Sequence, residues 1–183
     1  GDIYVIGNSS SPTGIATAGS FKPYLTLSSG VYGTDVFLAK FSANGNIIWS
    51  TYYGGDKIDN GFGLGVDKDN NVFICGQTTS ASGIATAGTH SSIFPGGFNY
   101  LAFLVKFNAT GSRIWGTYFG EGMTVGNSLA VDTSNNIYMS GRTTSVLKIA
   151  TTGSFQPVIG GGLDAYLAKF NQSGNRIWST YYG

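Results

Sequence analysis

The sequence predicts an all-β protein built from repeated sheets of four short antiparallel strands. The first observation behind this prediction is an aromatic phrase that occurs three times: IIWSTYYGG at 47–55, RIWGTYFG at 113–120 and RIWSTYYG at 176–183. Its tryptophans keep a steady spacing, since 66 residues separate Trp49 from Trp115 and 63 separate Trp115 from Trp178. A fixed period of this length indicates repeated supersecondary units that pack against one another.

The second observation is that four segments of each repeat have the side-chain period of a strand. In the third repeat they are NSLAVD (127–132), NIYMSG (136–141), AYLAKF (165–170) and RIWSTYY (176–182). In the first of these, Leu129 and Val131 alternate with Ser128 and Ala130, and the small residues predict a place where two sheets approach closely. The other three segments are largely apolar on both faces, so we expect each sheet to be covered on both sides.

The third observation concerns the turns between these strands. VDKDNNVF (66–73) and VDTSNNIY (131–138) place a polar cluster between two strands, with asparagines that can adopt positive φ. SANGN (42–46), NATGS (108–112) and NQSGN (171–175) have glycine at matching positions, which predicts hairpin loops with a left-handed glycine. Each repeat is therefore predicted to be a four-stranded antiparallel meander.

Such a sheet, covered on both faces and repeated every 63–66 residues, is typical of a β-propeller blade. A β-solenoid is the main alternative, although its coils are shorter. We predict about three blades, at residues 1–55, 56–120 and 121–183, with the first strand of the first blade missing. Because three blades cannot close a ring, we expect an incomplete propeller fragment whose remaining blades come from the same protein or from another chain.

The segments GNSLAVDTSNNIYMSGRT (126–143) and GGGLDAYLAKFNQSGNRIWSTYYG (160–183) also carry a family resemblance. They resemble the SBBP-type, seven-bladed β-propeller repeat of bacterial secreted and cell-surface proteins, and the resemblance extends over essentially the whole chain. The middle repeat departs from it at Leu101, where Asp35 and Asp164 stand in the other repeats. The resemblance implies a secreted or cell-surface location, often through type IX secretion, and a scaffold, adhesion or binding role without catalytic residues.

Composition argues against several classes of protein. The net charge is +1 and only 10% of the residues are charged, whereas a nucleic-acid binder normally has a basic stripe. No apolar run approaches the roughly 18 residues that predict a membrane span. Cys75 is the only cysteine, and we interpret it as a small buried residue, with a reactive thiol as the alternative.

Candidate catalytic and metal-binding residues are few, so we predict no enzyme, no cofactor and no metal site. His90 is the only histidine and aligns with phenylalanine in the other repeats, which favours a packed aromatic residue over a general base. Glu121 is the only glutamate, which excludes a two-Glu glycosidase pair but leaves Asp pairs open. Asp67 and Asp132 are predicted to stabilise turns, with calcium binding as the alternative.

Lysine and tryptophan recur at fixed repeat positions, as Lys40, Lys106 and Lys169 and as Trp49, Trp115 and Trp178. The lysines are predicted to lay their stems over apolar surface, with an anion-binding ring as the alternative. The tryptophans are predicted to pack between blades, with stacking on sugars as the alternative.

Recognition is expected in the long connections after the second strand of each repeat, at 8–34, 77–100 and 142–163, because binding residues concentrate on loops held by a rigid scaffold. The candidate ligand-facing residues are Tyr24, Tyr32, Phe94, Phe98 and Tyr100. We expect a protein or glycan ligand. The hypotheses are a non-enzymatic scaffold or adhesion platform, a carbohydrate-binding or glycan-processing propeller, and a structural spacer in a long repeat protein.

Overall fold

The computed structural model describes residues 1–26, 33–96 and 100–183, and these residues contain eleven strands in three sheets. The first sheet consists of β1 (Ile3–Ser9), β2 (Asp35–Phe41) and β3 (Ile47–Tyr53). The second consists of β4 (Asp59–Val66), β5 (Val72–Thr78), β6 (Leu101–Phe107) and β7 (Arg113–Phe119). The third consists of β8 (Thr124–Val131), β9 (Ile137–Thr143), β10 (Asp164–Phe170) and β11 (Arg176–Tyr182).

Within each sheet the strands follow one another in chain order and every neighbouring pair is antiparallel. The all-β fold class is confirmed, and the open sheets of four, four and three strands agree with a partial propeller. The three sheets lie within residues 1–55, 56–120 and 121–183. No helix within the described part of the chain is long and apolar enough to cross a membrane.

The predicted turn conformations are present. Asn70 and Asn135 both adopt a φ of 61°, and the hairpin glycines Gly45, Gly111 and Gly174 have φ values of 79°, 84° and 77°. At the β4–β5 turn the Asp67 carboxylate accepts hydrogen bonds from the backbone N–H groups of Asp69 and Asn71, each at 2.9 Å. The aspartate thereby satisfies backbone donors that the short turn leaves without partners.

Two hydrophobic cores lie between successive sheets. The core between the first and second sheets includes Val36, Tyr53, Ile74 and Phe103, and the core between the second and third includes Cys75, Phe119, Met139 and Tyr166. Every residue of β6 is buried, as expected for a sheet covered on both faces. The small residues mark a close approach, because a Cβ on Gly63 of β4 would lie 3.0 Å from the Ser128 Cα of β8.

Tryptophan side chains join each sheet to the next. The Trp49 Nε1–H donates to the Ala109 carbonyl oxygen at 3.0 Å, and the Trp115 Nε1–H donates to the Gln172 carbonyl oxygen at 2.8 Å. Both acceptors lie in the hairpin between the last two strands of the following sheet. The predicted packing between blades is thus confirmed for these two tryptophans, each of which places a polar N–H on a specific partner.

The repeated lysines are predicted to cover apolar surface, and their amines lie over aromatic rings of a neighbouring strand. The rings are those of Tyr4, Phe73 and Tyr138, with centroids 5.3, 5.2 and 5.2 Å from the amines of Lys40, Lys106 and Lys169. Lys40 and Lys106 are each only 8% exposed. Their stems therefore cover apolar surface while the charge is held above a π face.

Cys75 and His90 both have the packing roles expected of them. Cys75 is fully buried, and burial raises the pKa of its thiol to about 12. The ring of His90 lies 5.9 Å from that of Phe119 and 6.1 Å from that of Phe170. Burial, with help from Arg176 and Lys148, lowers the pKa of His90 to about 4, so the imidazole is neutral near pH 7.

Candidate ligand-binding site

The three long connections leave their sheets at the same end, because each joins the second strand of its sheet to the third (the first to the second in the three-stranded sheet). Each connection is tied to the last strand of its own sheet. The backbone N–H groups of Thr17, Thr86 and Thr151 donate to the carbonyl oxygens of Ser50, Gly116 and Ser179 at 3.0, 2.9 and 2.9 Å. These bonds hold part of each connection along the outer edge of the last strand, and loops held by a rigid scaffold are suited to recognition.

A cleft of about 290 Å³ lies between the first two blades where their loops meet. Its lining comes from both blades: Phe21, Lys22, Thr26, Gly54, Gly55, Asp56, Ser82, Gly83 and Arg113. The volume is at the lower end of the range of roughly 300–1,000 Å³ that small-molecule sites occupy. The cleft therefore fits one side chain or one sugar unit of a larger ligand.

One wall of the cleft is an aromatic ring covered by a guanidinium. The Cζ atom of Arg113 lies 4.7 Å from the ring centroid of Phe21, which is the geometry of a cation–π contact. The Arg113 Nη1 group also donates to the Gly83 carbonyl oxygen at 2.7 Å. Phe21 is 39% exposed and packs edge-on against Phe107 at 5.9 Å. The wall is thus held in place from both blades.

The lysine in the cleft has its donors engaged by the protein. The Lys22 Nζ lies 2.6 Å from the Asp35 Oδ2, 2.8 Å from the Gly54 carbonyl oxygen and 3.4 Å from that of Gly55. An ammonium group has three N–H donors, so these acceptors account for all of them. Burial raises the pKa of Asp35, while the ion pair with Lys22 acts in the opposite direction. The floor of the cleft is therefore charge-neutralised.

A second buried carboxylate supports the turn beneath the cleft. The Asp59 Oδ2 accepts hydrogen bonds from the Gly55 N–H at 2.7 Å and the Ser80 hydroxyl at 2.8 Å. Asp35 and Asp59 converge on Gly54, where any Cβ would clash with both carboxylates. Burial, with a smaller contribution from Asp35, raises the pKa of Asp59 to about 6. Because both side chains are fully buried, the pair positions the Gly54–Gly55 turn.

The sequence-predicted ligand-facing residues lie in different environments. Tyr24 is 61% exposed on the first long loop. Phe94 is half-buried and packs edge-on against Tyr118 at 5.6 Å. Tyr100 is half-buried and its carbonyl oxygen accepts from the Thr124 N–H at 2.9 Å. Tyr32 and Phe98 lie outside the described residues.

Sequence reasoning did not identify Phe21 and Arg113 as neighbours, although they form a wall of the cleft. The sequence identifies Phe21 only as the repeat counterpart of His90, and it identifies Arg113 only as the first residue of a repeated strand. The two belong to different repeats. Their contact follows from the way in which the last strand of one blade faces the loop of the preceding blade, which no local pattern encodes.

The aspartates Asp67 and Asp132 accept hydrogen bonds from backbone N–H groups of their own turns. The Asp132 Oδ1 accepts the N–H groups of Ser134 at 2.9 Å and Asn136 at 2.8 Å, and its Oδ2 accepts the Asn136 side chain at 2.8 Å. Hydrogen bonds from the side chain and backbone of Asn136 lower the pKa of Asp132. Among residues 1–26, 33–96 and 100–183, no three His, Cys, Asp or Glu side chains come together as a metal site.

Comparison with known proteins places two parts of the chain in a described repeat. The family model of the SBBP β-propeller repeat matches residues 48–84 and 114–148. A protein of Acanthamoeba polyphaga mimivirus, described as an uncharacterised WD repeat-containing protein, is 24% identical over 162 residues. That alignment covers 81% of this chain but only 12% of the viral protein, so the chain spans a small part of the length of this relative.

Proposed function

We propose, from the SBBP β-propeller repeats that the chain carries at residues 48–84 and 114–148, that it is a non-enzymatic scaffold and binding module of a secreted or cell-surface protein. The observation that carries this proposal is the inter-blade cleft. It is concave, and described residues of two blades form its walls. The ligand is a protein partner that inserts a neutral side chain into the cleft.

The neutrality of the cleft supports this class of ligand. Lys22 is saturated by Asp35 and two carbonyl oxygens, and the Asp56 carboxylate lines the same cleft as Arg113. An anionic ligand would have to displace the contacts of Lys22, and its attraction to Arg113 would be offset by repulsion from Asp56. The face of Phe21 that Arg113 covers is also closed to a sugar ring. A small polar or apolar side chain requires neither displacement.

The non-enzymatic assignment is supported by the environment of the two convergent carboxylates. General acid–base chemistry needs groups within hydrogen-bond reach of a substrate. Asp35 and Asp59 are both fully buried, and they accept hydrogen bonds from Lys22, Gly55 and Ser80. These bonds support the Gly54–Gly55 turn, and the Oδ1 atom of each carboxylate is buried without a hydrogen-bond partner among the described residues.

The secreted or cell-surface setting and the adhesion role are supported by composition and by the repeat family. Only 10% of the residues are charged and 29 of 183 are glycine, which fits an extracellular repeat protein. Protease treatment of intact source cells, followed by detection with an antibody against this chain, tests the location. Protection of the chain until the cells are lysed would contradict a surface position.

A peptide-display selection against the chain tests the binding site. Peptides that use the cleft should lose at least about tenfold in affinity on Phe21→Ala, since truncating an anchoring aromatic costs about 2 kcal/mol. Phe155→Ala is the matched control, because Phe155 holds the same repeat position but lines no part of this cleft. Peptides that bind equally well to both variants would refute the assignment of the cleft.

A neutral-glycan array, read for binding and for cleavage, separates the carbohydrate alternative from the protein-binding proposal. Glycan binding that is lost in Phe21→Ala would replace the protein ligand by a sugar and keep the cleft. Cleavage of any glycan would overturn the non-enzymatic assignment.

A further inference from the structure

The junction between the second and third blades places different side chains at the positions that line the cleft. It lies between two four-stranded sheets, so both of its sides are formed within the chain. Lys148 takes the repeat position of Gly83, and Arg176 takes that of Arg113. The Arg176 Nη1 group donates to the carbonyl oxygens of Lys148 and Ile149, each at 2.9 Å, just as Arg113 donates to Gly83. The two arginines therefore hold equivalent positions with different neighbours.

The floor of this second junction has lost the charges that the cleft has. Three charged residues of the first junction have uncharged counterparts: Lys22, Asp35 and Asp59 correspond to Ser91, Leu101 and Thr124. Leu101 is 1% exposed and Thr124 is fully buried. An anion at the second junction would therefore not meet the buried carboxylates that support the cleft.

Lys148 neutralises the acidic residue of the turn at this junction. The turn that corresponds to 54–58 contains Glu121, whose carboxylate forms an ion pair with the Lys148 ammonium. Lys148 adopts a φ of 62°, and the residues at its repeat position, Gly14 and Gly83, have φ values of 90° and 81°. A side chain with a Cβ is unfavourable in this left-handed region, so the lysine has a backbone cost that the glycines avoid. Its ion pair is the contact that distinguishes it from them.

The guanidinium of Arg176 keeps donors and charge that the protein does not use. All its side-chain hydrogen bonds to described residues come from Nη1, which supplies two of the five N–H donors of an arginine. Within residues 1–26, 33–96 and 100–183 it forms no ion pair, and no aromatic ring lies over it as Phe21 lies over Arg113. Since Lys148 and Arg176 are positive and Glu121 is negative, these groups have one positive charge in excess.

The two cations act on one small region. His90 takes the repeat position of Phe21 at this junction. Burial lowers the pKa of His90, and the positive charges of Arg176 and Lys148 lower it further. The neutral imidazole therefore borders both cations and adds no charge of its own near pH 7.

An apolar side chain stands next to these cations. Leu147 takes the repeat position of Ser82, which lines the cleft at the first junction. It is 60% exposed, and Val146 before it is 71% exposed. A ligand with an apolar group beside its charge would therefore find a partner for each.

We propose that the junction between the second and third blades is a second binding site, which takes a carboxylate flanked by an apolar group, as on an acidic peptide. Arg176 binds the carboxylate through its remaining donors, since a planar guanidinium matches the two oxygens of a carboxylate. Lys148 keeps Glu121 from opposing the ligand, and Leu147 contacts the apolar group. This site is separate from the cleft and does not depend on the neutral ligand proposed for it.

Nuclear magnetic resonance titration of the isotope-labelled chain tests the proposal with two probes that differ in charge. N-acetylleucine has a carboxylate next to an apolar side chain, and N-acetylleucinamide has a neutral amide in place of the carboxylate. At pH 7 and low ionic strength, N-acetylleucine should shift the backbone signals of residues 120–122 and 147–149 in a saturable way. The amide should bind at least about tenfold more weakly, because it lacks the charge that Arg176 recognises.

Three substitutions at the site have different expected effects on the affinity for N-acetylleucine. Arg176→Gln should lower it at least about tenfold. Lys148→Gly restores the residue of the other repeats, so the fold is preserved, and it should lower the affinity about fivefold because Glu121 then repels the carboxylate. Glu121→Gln should raise it. Arg142→Gln is the matched control, since Arg142 is exposed on β9 outside these contacts, and it should change the affinity less than about twofold.

The signs of these effects decide the outcome even where one variant is less stable. Equal binding of the two probes would leave only an apolar contact and would overturn the carboxylate site. Shifts at residues 54–56 and 83 instead of 120–122 and 147–149, or no saturable shift at all, would also overturn it. So would a Glu121→Gln chain that binds N-acetylleucine more weakly than the original. Binding that is lost in Arg176→Gln and strengthened in Glu121→Gln would establish the site.

Discussion

The contact between a tryptophan and the hairpin glycine of the next blade predicts that two chemically identical substitutions have different effects. Gly45 and Gly111 hold the same repeat position with φ values of 79° and 84°. Alanine is unfavourable in this left-handed region by roughly 1–2 kcal/mol, and both Gly45→Ala and Gly111→Ala incur that cost. Only at Gly111 does the new methyl group also meet a ring, since its Cβ would lie 2.9 Å from the Trp49 Cδ2.

The size of the difference follows from how firmly that ring is held. The contacted atoms belong to the middle of the indole, the side chain is 9% exposed, and its N–H is bonded to Ala109. The ring has little room to retreat, and an extra methyl in such a site costs about 1–3 kcal/mol. We therefore expect Gly111→Ala to lower the free energy of unfolding by about 2–5 kcal/mol, against about 1–2 for Gly45→Ala.

Urea denaturation measures both variants. A smaller ring should relieve the contact, so Trp49→Phe and Gly111→Ala together should cost less than the sum of the two alone. Equal losses for Gly45→Ala and Gly111→Ala, within about 0.5 kcal/mol, would refute the reasoning, because the ring contact would then contribute nothing.

Three further substitutions test buried polar groups by urea denaturation. Folding lowers the pKa of His90 from 6.5 to about 4. Between these two pH values the unfolded chain binds more protons than the folded chain, so acidification destabilises the fold. His90→Phe should therefore lose less stability than the original chain between pH 7 and pH 5. The pKa of Asp59 is raised from 3.8 to about 6, so the folded chain binds more protons there and acidification stabilises it. Asp59→Asn should remove this gain and lose more stability over the same interval. Reversed signs would refute either assignment. The Tyr118 hydroxyl donates to the Ser80 carbonyl oxygen at 2.9 Å, and Tyr118→Phe should cost about 1 kcal/mol at pH 7; an unchanged midpoint would contradict that.

Much of the fold could be predicted because its determinants are local and repeated three times. Strand alternation, the asparagine at position 70 and the hairpin glycine at position 174 each report on a few neighbouring residues. The repeat then aligns these signals, so a weak pattern in one blade is supported by the other two.

The candidate site could be predicted only as a region. Its long loops were recognisable, but the wall that Phe21 and Arg113 form joins residues from two blades. Phe94 is predicted to face a ligand because it is aromatic and lies in a loop, and its half-buried ring packs edge-on against Tyr118. Aromatic residues in these loops can point outward or inward, and the choice depends on the neighbouring blade rather than on the loop sequence.

The tryptophan-to-hairpin contact also bears on how genes of this type can change in length. Trp49 and Trp115 use equivalent acceptors, so a recombination event that removed or inserted one whole period would join a tryptophan to a hairpin of the same design. The new junction would keep this tryptophan contact without a compensating substitution. We therefore expect this contact to tolerate the gain or loss of complete units in a coding sequence of this kind.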